Sequence, residues 1–207
     1  MMINSQKHKI ICIGDSLTEG DYGVYQKRGI ANVHEKNYPY FLKMLTGANV
    51  VNCGRCGIRA SGYLKYYKDG NVDVRGADCV IIMLGTNGGL DDAADTDDNR
   101  DYDSLVRLIR SDEPNAKIVL CAPPHATSDK TKSNCGYAAQ VAAAVRFTKK
   151  YASENSLECI ELDTCPLFTD ENEEIMQPND GLHFSETGYA VMAIYIRDAL
   201  RKKLGIF

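Results

Sequence analysis

Five short runs constrain the fold of this chain: Lys9 to Ile13, Asn49 to Asn52, Cys79 to Leu84, Lys117 to Ala122 and Glu158 to Leu162. Each is apolar and rich in β-branched residues, which favours strand. A strand with one wet face alternates polar and apolar residues, whereas these runs do not. They therefore suit parallel strands covered on both faces. Helical patterns lie between them. Tyr38, Phe41, Leu42 and Leu45 share one helical face, and the pattern stops near Gly47. Leu105, Val106, Leu108 and Ile109 mark a second helix over Tyr102 to Ile109, and an alanine-rich third spans Tyr137 to Tyr151. The last, Glu186 to Leu204, has Ser185 as N-cap and ends on Arg201, Lys202 and Lys203 before Gly205, a favourable charge and cap arrangement. Alternating strands and helices predict a doubly wound parallel α/β sheet. The least regular stretches, Asp21 to Asn37, Gly54 to Ala77, Gly85 to Arg100 and Pro123 to Cys135, all follow strand ends. In such a sheet those loops form the rim that holds ligands.

The 207 residues suit one domain spanning 1–207, and no linker, repeat or low-complexity segment divides them. The net charge is −4 and no basic stripe occurs, which argues against nucleic acid as a partner. No apolar stretch reaches membrane-spanning length. The N-terminus lacks the apolar segment of a signal peptide, so a cytoplasmic location is expected. Of the eight cysteines, Cys12, Cys79, Cys121 and Cys159 sit in or beside apolar runs, where free cysteine behaves as a small hydrophobe. Cys53 and Cys56 have redox or zinc spacing, but no second pair completes a tetrahedral site, so free thiols are expected there too. Seven aspartates crowd Asp91 to Asp103. Aligned on a calcium loop, Asp95, Asp97 and Asn99 place Arg100 where glycine is required, so a solvated loop leading into a helix is the better reading.

The first run breaks at Gly14-Asp15-Ser16-Leu17-Thr18-Glu19-Gly20, which delivers a serine hydroxyl to the rim. A serine hydroxyl is a weak nucleophile and needs a base. The chain has four histidines, His8, His34, His125 and His183. Only His183 has an aspartate three residues earlier, Asp180, a spacing that a tight turn folds into a carboxylate–imidazole contact. His125 follows the fourth run and is next in line as base or as a substrate contact. Asn52-Cys53-Gly54 follows the second run, and Gly85-Thr86-Asn87 follows the third. Glycine lets the backbone approach a reacting carbonyl, and an asparagine amide can donate to a developing oxyanion. No Gly-x-Ser-x-Gly occurs, so the α/β-hydrolase elbow is absent.

Gly-Asp-Ser-Leu, Asn-x-Gly, Gly-x-Asn and Asp-x-x-His in this order resemble the SGNH (GDSL) hydrolase family over residues 10 to about 190. The resemblance implies a flavodoxin-like three-layer α/β/α sandwich with a five-stranded parallel sheet. It implies Ser16 as nucleophile with Asp180 and His183 as its triad partners. It implies an oxyanion hole of the Ser16 N–H, the Gly54 N–H and the Asn87 side chain. The family often has aspartate after this asparagine, where this chain has Gly88, so the brace on that loop is in question. Asp15 reads as a loop brace more than a catalytic group.

The expected reaction is acyl-ester hydrolysis through an acyl-enzyme, which needs neither metal nor cofactor. Tyr22, Tyr25, Tyr63, Tyr66 and Tyr67 stand in the candidate rim loops, with Asp15, His125, Tyr22 and Tyr25 as candidate substrate contacts. Tyrosine suits a sugar, with a face for stacking and a hydroxyl for hydrogen bonding. The favoured substrate is therefore a small-molecule ester with a short acyl group, acetyl included, on a polar or carbohydrate alcohol. A lysophospholipase or thioesterase on the same scaffold and a non-catalytic carbohydrate-binding relative are the alternatives.

Overall fold

A computed structural model describes residues 8–24 and 33–206. Five strands form one sheet: β1 (Lys9–Gly14), β2 (Asn49–Gly54), β3 (Cys79–Met83), β4 (Lys117–Ala122) and β5 (Glu158–Glu161). Their order is β2-β1-β3-β4-β5, and every pairing is parallel. The central strands β1 and β3 are almost wholly buried, as their unbroken apolar runs require, whereas the edge strand β2 is half-exposed. In this order the chain leaves β1 toward one side of the sheet and reaches β3 on the other. The crevice where such folds bind ligands therefore opens at the carboxyl ends of β1 and β3.

The helices are α1 (Ser16–Glu19), α2 (Tyr38–Thr46), α3 (Ala60–Lys68), α4 (Asp97–Asp112), α5 (Ala138–Glu154), α6 (Glu173–Met176) and α7 (Glu186–Leu204). Alternation along each strand divides the core. Ile10, Cys12, Ile81 and Cys121 face α2 and α7, while Ile11, Ile13, Ile82 and Leu120 face α3, α4 and α5. The result is the doubly wound parallel sheet expected from the strand–helix alternation, in the three-layer form that the family resemblance implies. No helix among the described residues is long and apolar enough to cross a membrane.

Besides the short helices α1 and α6, which no sequence pattern marked, two elements depart from the sequence expectation. Residues 54–77 read as irregular, yet they hold α3. Its apolar stripe is Ala60, Tyr63, Leu64 and Tyr67, a helical spacing whose tyrosines read instead as rim residues. The helix expected from Tyr102 starts at Asp97, because the Thr96 hydroxyl accepts from the Asn99 N–H and Asp97 and Asp98 favour the positive end of the helix. Half of the acidic stretch is therefore a capped helix start. All eight cysteines are free, and burial raises the thiols of Cys12, Cys79 and Cys121, as expected of inert core residues.

Candidate active site

Ser16 opens the short helix α1 directly at the end of β1. Asp15 accepts from the Leu17 N–H as N-cap, and Gly20 closes the helix at φ 109°. Only glycine fits at the preceding position, since a Cβ on Gly14 would stand 2.0 Å from Thr18 Oγ1 and 2.6 Å from the Met83 carbonyl. The serine is thus presented by backbone geometry at the point where β1 stops.

His183 reaches Ser16 from the loop before α7. Its Nε2 lies 2.9 Å from Ser16 Oγ and its Nδ1 lies 2.6 Å from Asp180 Oδ2. The other oxygen of Asp180 accepts from the N–H groups of Leu182 (3.0 Å) and His183 (2.9 Å), so the turn fixes the carboxylate as well. Asn134 Nδ2 donates to Asp180 Oδ2 at 2.8 Å. All three relay side chains are buried, with Ser16 and His183 each 4 % exposed.

The description that matches these residues is the GDSL-like lipase/acylhydrolase family, over residues 12–191. The chain belongs to that family. It is an ester-bond hydrolase of the GDSL type. No curated protein sequence matches the chain. Among solved structures, the native aryl esterase of M. smegmatis shares 20 % identity at a TM-score of 0.72, covering 95 % of this chain and 100 % of that one. A carbohydrate acetylesterase family member from Sinorhizobium meliloti shares 19 % at 0.72, covering 96 % and 99 %. The lipase/acylhydrolase from Enterococcus faecalis shares 20 % at 0.69, covering 95 % and 96 %. These three show a common fold.

In this GDSL hydrolase, burial alone would lower the His183 pKa. The Asp180 hydrogen bond and charge, with Asp21 and Asp15 adding to them, outweigh burial and raise it above the ordinary histidine value. Burial likewise works to raise Asp180, but the bonds and charge of His183 and the Leu182 N–H hold it below the ordinary carboxylate range. The pair is therefore biased toward carboxylate and imidazolium, the charge distribution reached once a serine proton has moved to Nε2.

One oxyanion donor expected from the sequence has a partner in the structure. The Gly54 N–H donates to Asn52 Oδ1 at 2.8 Å and is already engaged. Gly54 is glycine for packing, because its Cβ would stand 2.1 Å from the Glu19 backbone nitrogen. The Asn-x-Gly pattern thus marks a side chain closing on its own backbone two residues on. The next turn, Arg55 to Ile58, is closed by the Ile58 N–H on the Arg55 carbonyl at 3.3 Å and carries Gly57 at φ 71°. The residues on both sides of Gly57 are tied to neighbouring elements. The Cys56 N–H bonds Glu19 of α1, and the Ile58 carbonyl accepts from Asn87 Nδ2 at 3.0 Å. That bond engages one amide hydrogen of Asn87.

The brace missing at Gly88 comes from elsewhere. Gln140 Nε2 on α5 holds the Thr86 carbonyl at 2.8 Å, and Arg59 Nε holds the Asn87 carbonyl at 2.9 Å. Gly88 itself adopts φ 80°, and a Cβ there would press on Gln140 Oε1 at 3.0 Å. A glycine with a glutamine behind it thus does the bracing expected of a carboxylate.

The candidate substrate contacts fare less well. Asp15 is 0 % exposed, and burial raises its pKa; it braces α1 and does not line the crevice. His125 Nε2 pairs with Asp170 Oδ1 at 2.7 Å, and this bond holds Asp170 below the ordinary carboxylate range. In this structure His125 is thus engaged by Asp170. The Tyr22 ring stacks on His34 at 4.0 Å and its hydroxyl donates to the Lys36 carbonyl at 2.6 Å, so both its face and its hydroxyl are in use. Tyr25 lies outside the described residues. Tyr63 and Tyr67 are core residues of α3, with hydroxyls donating to the Cys53 carbonyl and to Asp112, and Tyr66 packs edge-on against Tyr63 under Arg55. The sequence left Asn134, Gln140 and Asp21 unmarked, although they contact candidate site residues or their loops. Each does so across a long chain separation, and no spacing rule marks it.

Proposed function

We propose that this hydrolase cleaves a short-chain acyl ester, acetyl foremost, of a polar or carbohydrate alcohol, with Ser16 as nucleophile, His183 as general base and acid, and Asp180 as its orienting carboxylate. The observation that carries the reading is the buried relay from Asp180 Oδ2 to His183 Nδ1 at 2.6 Å and from His183 Nε2 to Ser16 Oγ at 2.9 Å. Ser16 Oγ attacks the carbonyl carbon as its proton passes to His183 Nε2. The carbonyl oxygen takes the negative charge and receives the Ser16 N–H and the second Asn87 amide hydrogen. The Gly54 N–H, which meets Asn52 Oδ1 in this structure, is the third donor that the family resemblance implies. Collapse expels the alcohol, protonated by His183, and leaves the acyl group on Ser16. A water deprotonated by His183 then attacks the acyl-enzyme and releases the acid.

A polar alcohol is favoured by exposed and part-exposed polar groups of the loops at this end of the sheet: Asn87, Arg59 bonded to the Asn87 carbonyl, and Asn179 bonded to the Tyr22 carbonyl. The aryl esterase and the acetylesterase family member of like fold are consistent with a small acyl group. A fluorescent phosphonate tests the nucleophile: it should label Ser16 in the native chain and leave Ser16→Ala unlabelled. An ester series from acetyl to palmitoyl tests the substrate, with activity expected to fall as the chain lengthens. A maximum at long chains replaces the reading with a lysophospholipase or thioesterase. Failure to label Ser16 replaces it with a non-catalytic relative.

A further inference from the structure

A second carboxylate stands at the other end of the His183 ring. Asp21 directly follows the Gly20 cap of α1, and its side chain is 3 % exposed. Asp21 Oδ2 lies 3.8 Å from His183 Nε2, the nitrogen that faces Ser16. The residue is held from every side. Its N–H donates to the Ser16 carbonyl at 3.0 Å, its own carbonyl accepts from the Tyr189 hydroxyl at 2.6 Å, and Oδ1 accepts from the Gly23 N–H at 2.8 Å. Those bonds aim Oδ2 at the imidazole. They also set the backbone of Gly23 against Asp180, where a Cβ would stand 2.6 Å from the carboxyl carbon.

We propose that Asp21 is a positioning residue for the hydrolytic reaction, a carboxylate that stabilises the imidazolium at Nε2 while Asp180 does so at Nδ1. This rests on the reading of His183 as the base of Ser16. A buried carboxylate is costly unless a charge or donors compensate it. Gly23 supplies one donor to Oδ1, and the charge formed on His183 during turnover compensates Oδ2. Opposite charge within about 4–6 Å favours the charged form of an imidazole. The ring thus sits between two carboxylates, and the proton taken from Ser16 arrives on the side that Asp21 faces.

Other described groups also act on the ring. Asp180 shares its turn, and Ser16 and Asp15 come from the end of β1, with Asp15 buried as the α1 cap and raised by burial. Around Asp21 itself stand Cys56 from the turn after β2 and Tyr189 from α7, both pushed up by burial, with the nearby Asp21 charge adding to the rise. Neither thiol nor phenol is a competing cation. Among the described groups acting on His183, Asp21 is thus the carboxylate placed at Nε2.

The test is the titration of His183 followed by NMR, which does not depend on turnover. The chain has four histidines, so His8→Gln, His34→Gln and His125→Gln identify the His183 signal. Asp21→Asn keeps the acceptor for Gly23 and removes the charge, and Asp21→Ser does the same with a smaller group. Both should lower the His183 midpoint by about half a pH unit or more. The pH profile of Ser16 phosphonylation should follow, its acidic limb moving down and its plateau falling severalfold. A residue that merely supports Gly23 predicts an unchanged titration in both variants, and coincident midpoints overturn the proposal. If the native chain resists the phosphonate while the midpoints still separate, the nucleophile reading fails and the Asp21–His183 coupling stands.

Discussion

The two halves of this site are built in different ways. Ser16 is placed by regular structure: β1 is paired on both sides, α1 is capped at both ends, and Gly14 and Gly54 let strand and helix touch. Asp180 and His183 sit in residues 177–185, which contain neither helix nor strand. That stretch is held by bonds from another loop. Thr127 N–H reaches the Gly181 carbonyl at 2.9 Å, Lys132 Nζ the Pro178 carbonyl at 3.0 Å, and Asn134 both the carbonyl and the carboxylate of Asp180 at 3.1 and 2.8 Å. Gln177 Nε2 closes it from within, donating to the His125 and Leu182 carbonyls. The proposed nucleophile therefore inherits its position from the sheet, whereas the proposed base is held by individual side-chain bonds. Mutations on the first half should change stability and activity together, and mutations on the second should change activity more than stability.

The largest effect is expected at Asp180. Asp180→Asn presents an amide where Nδ1–H needs an acceptor and favours the wrong tautomer, a loss of about 10⁴ in kcat, or roughly 5 kcal/mol. The charge that raises His183 also disappears, so the acidic limb of kcat/KM should move down. The stability consequence has the opposite sense to activity. Asp180, lowered on folding, contributes stability that is lost as pH falls below the carboxylate range, and His183, raised on folding, contributes stability that is lost as pH rises through its folded value. The pair thus stabilises the fold most between about pH 4 and 6.5, while a neutral, active His183 accumulates above that window. A urea series against pH should show this hump in the native chain and not in Asp180→Asn. An unchanged hump would show that the base half contributes to stability by some other route.

Next comes Asn87→Ala on the nucleophile half, with an expected loss of about 10²–10³ in kcat, roughly 3 kcal/mol, and little change in KM. Because Asn87 also donates to the Ile58 carbonyl, its removal should loosen the turn after β2 and lower the urea midpoint as well. An activity loss with no change of midpoint would break the proposed coupling of stability and activity on this half. Gly54→Ala follows at about 2 kcal/mol, by overpacking against backbone atoms of α1 that cannot yield. Its midpoint and its activity should fall together.

The same contrast explains what could be read before the fold was known. The strand β1, the Gly-Asp-Ser break after it and the cap of α7 are local patterns in which period, cap and charge agree. Asp180 and His183 were visible because a single turn joins them. Asn134 acts on a residue 46 positions away, and Asp21 on one more than 160 away, so neither leaves a mark in spacing. Two local patterns meet different neighbours from those their residue types suggest. The tyrosines of α3 look like binding residues because their hydroxyls are polar, yet Tyr63 and Tyr67 bury their rings and spend those hydroxyls on Cys53 and Asp112. Gly54 looks like an oxyanion donor because glycine exposes its N–H, yet Asn52 reaches it first.

The smallest effect is the sharpest probe of the base half. Asn134→Ala removes one donor from Asp180 Oδ2 while the Leu182 and His183 N–H groups still hold Oδ1. A hydrogen bond to a charged group is worth about 1.5 kcal/mol, so kcat should fall about tenfold with the urea midpoint little moved. Asn134→Asp separates orientation from charge. It places a second carboxylate beside Asp180, and two carboxylates sharing a site cannot both ionise cheaply. If Asn134 matters because it donates to an ionised Asp180, the aspartate variant must be worse than alanine at neutral pH. That deficit should shrink as pH falls and one of the two carboxyls takes a proton. If Asn134 matters only as filler between two loops, the near-isosteric aspartate should instead outperform alanine at every pH. The ranking of these two variants, measured as kcat against pH, therefore decides whether the base half is tuned by single bonds or held by shape.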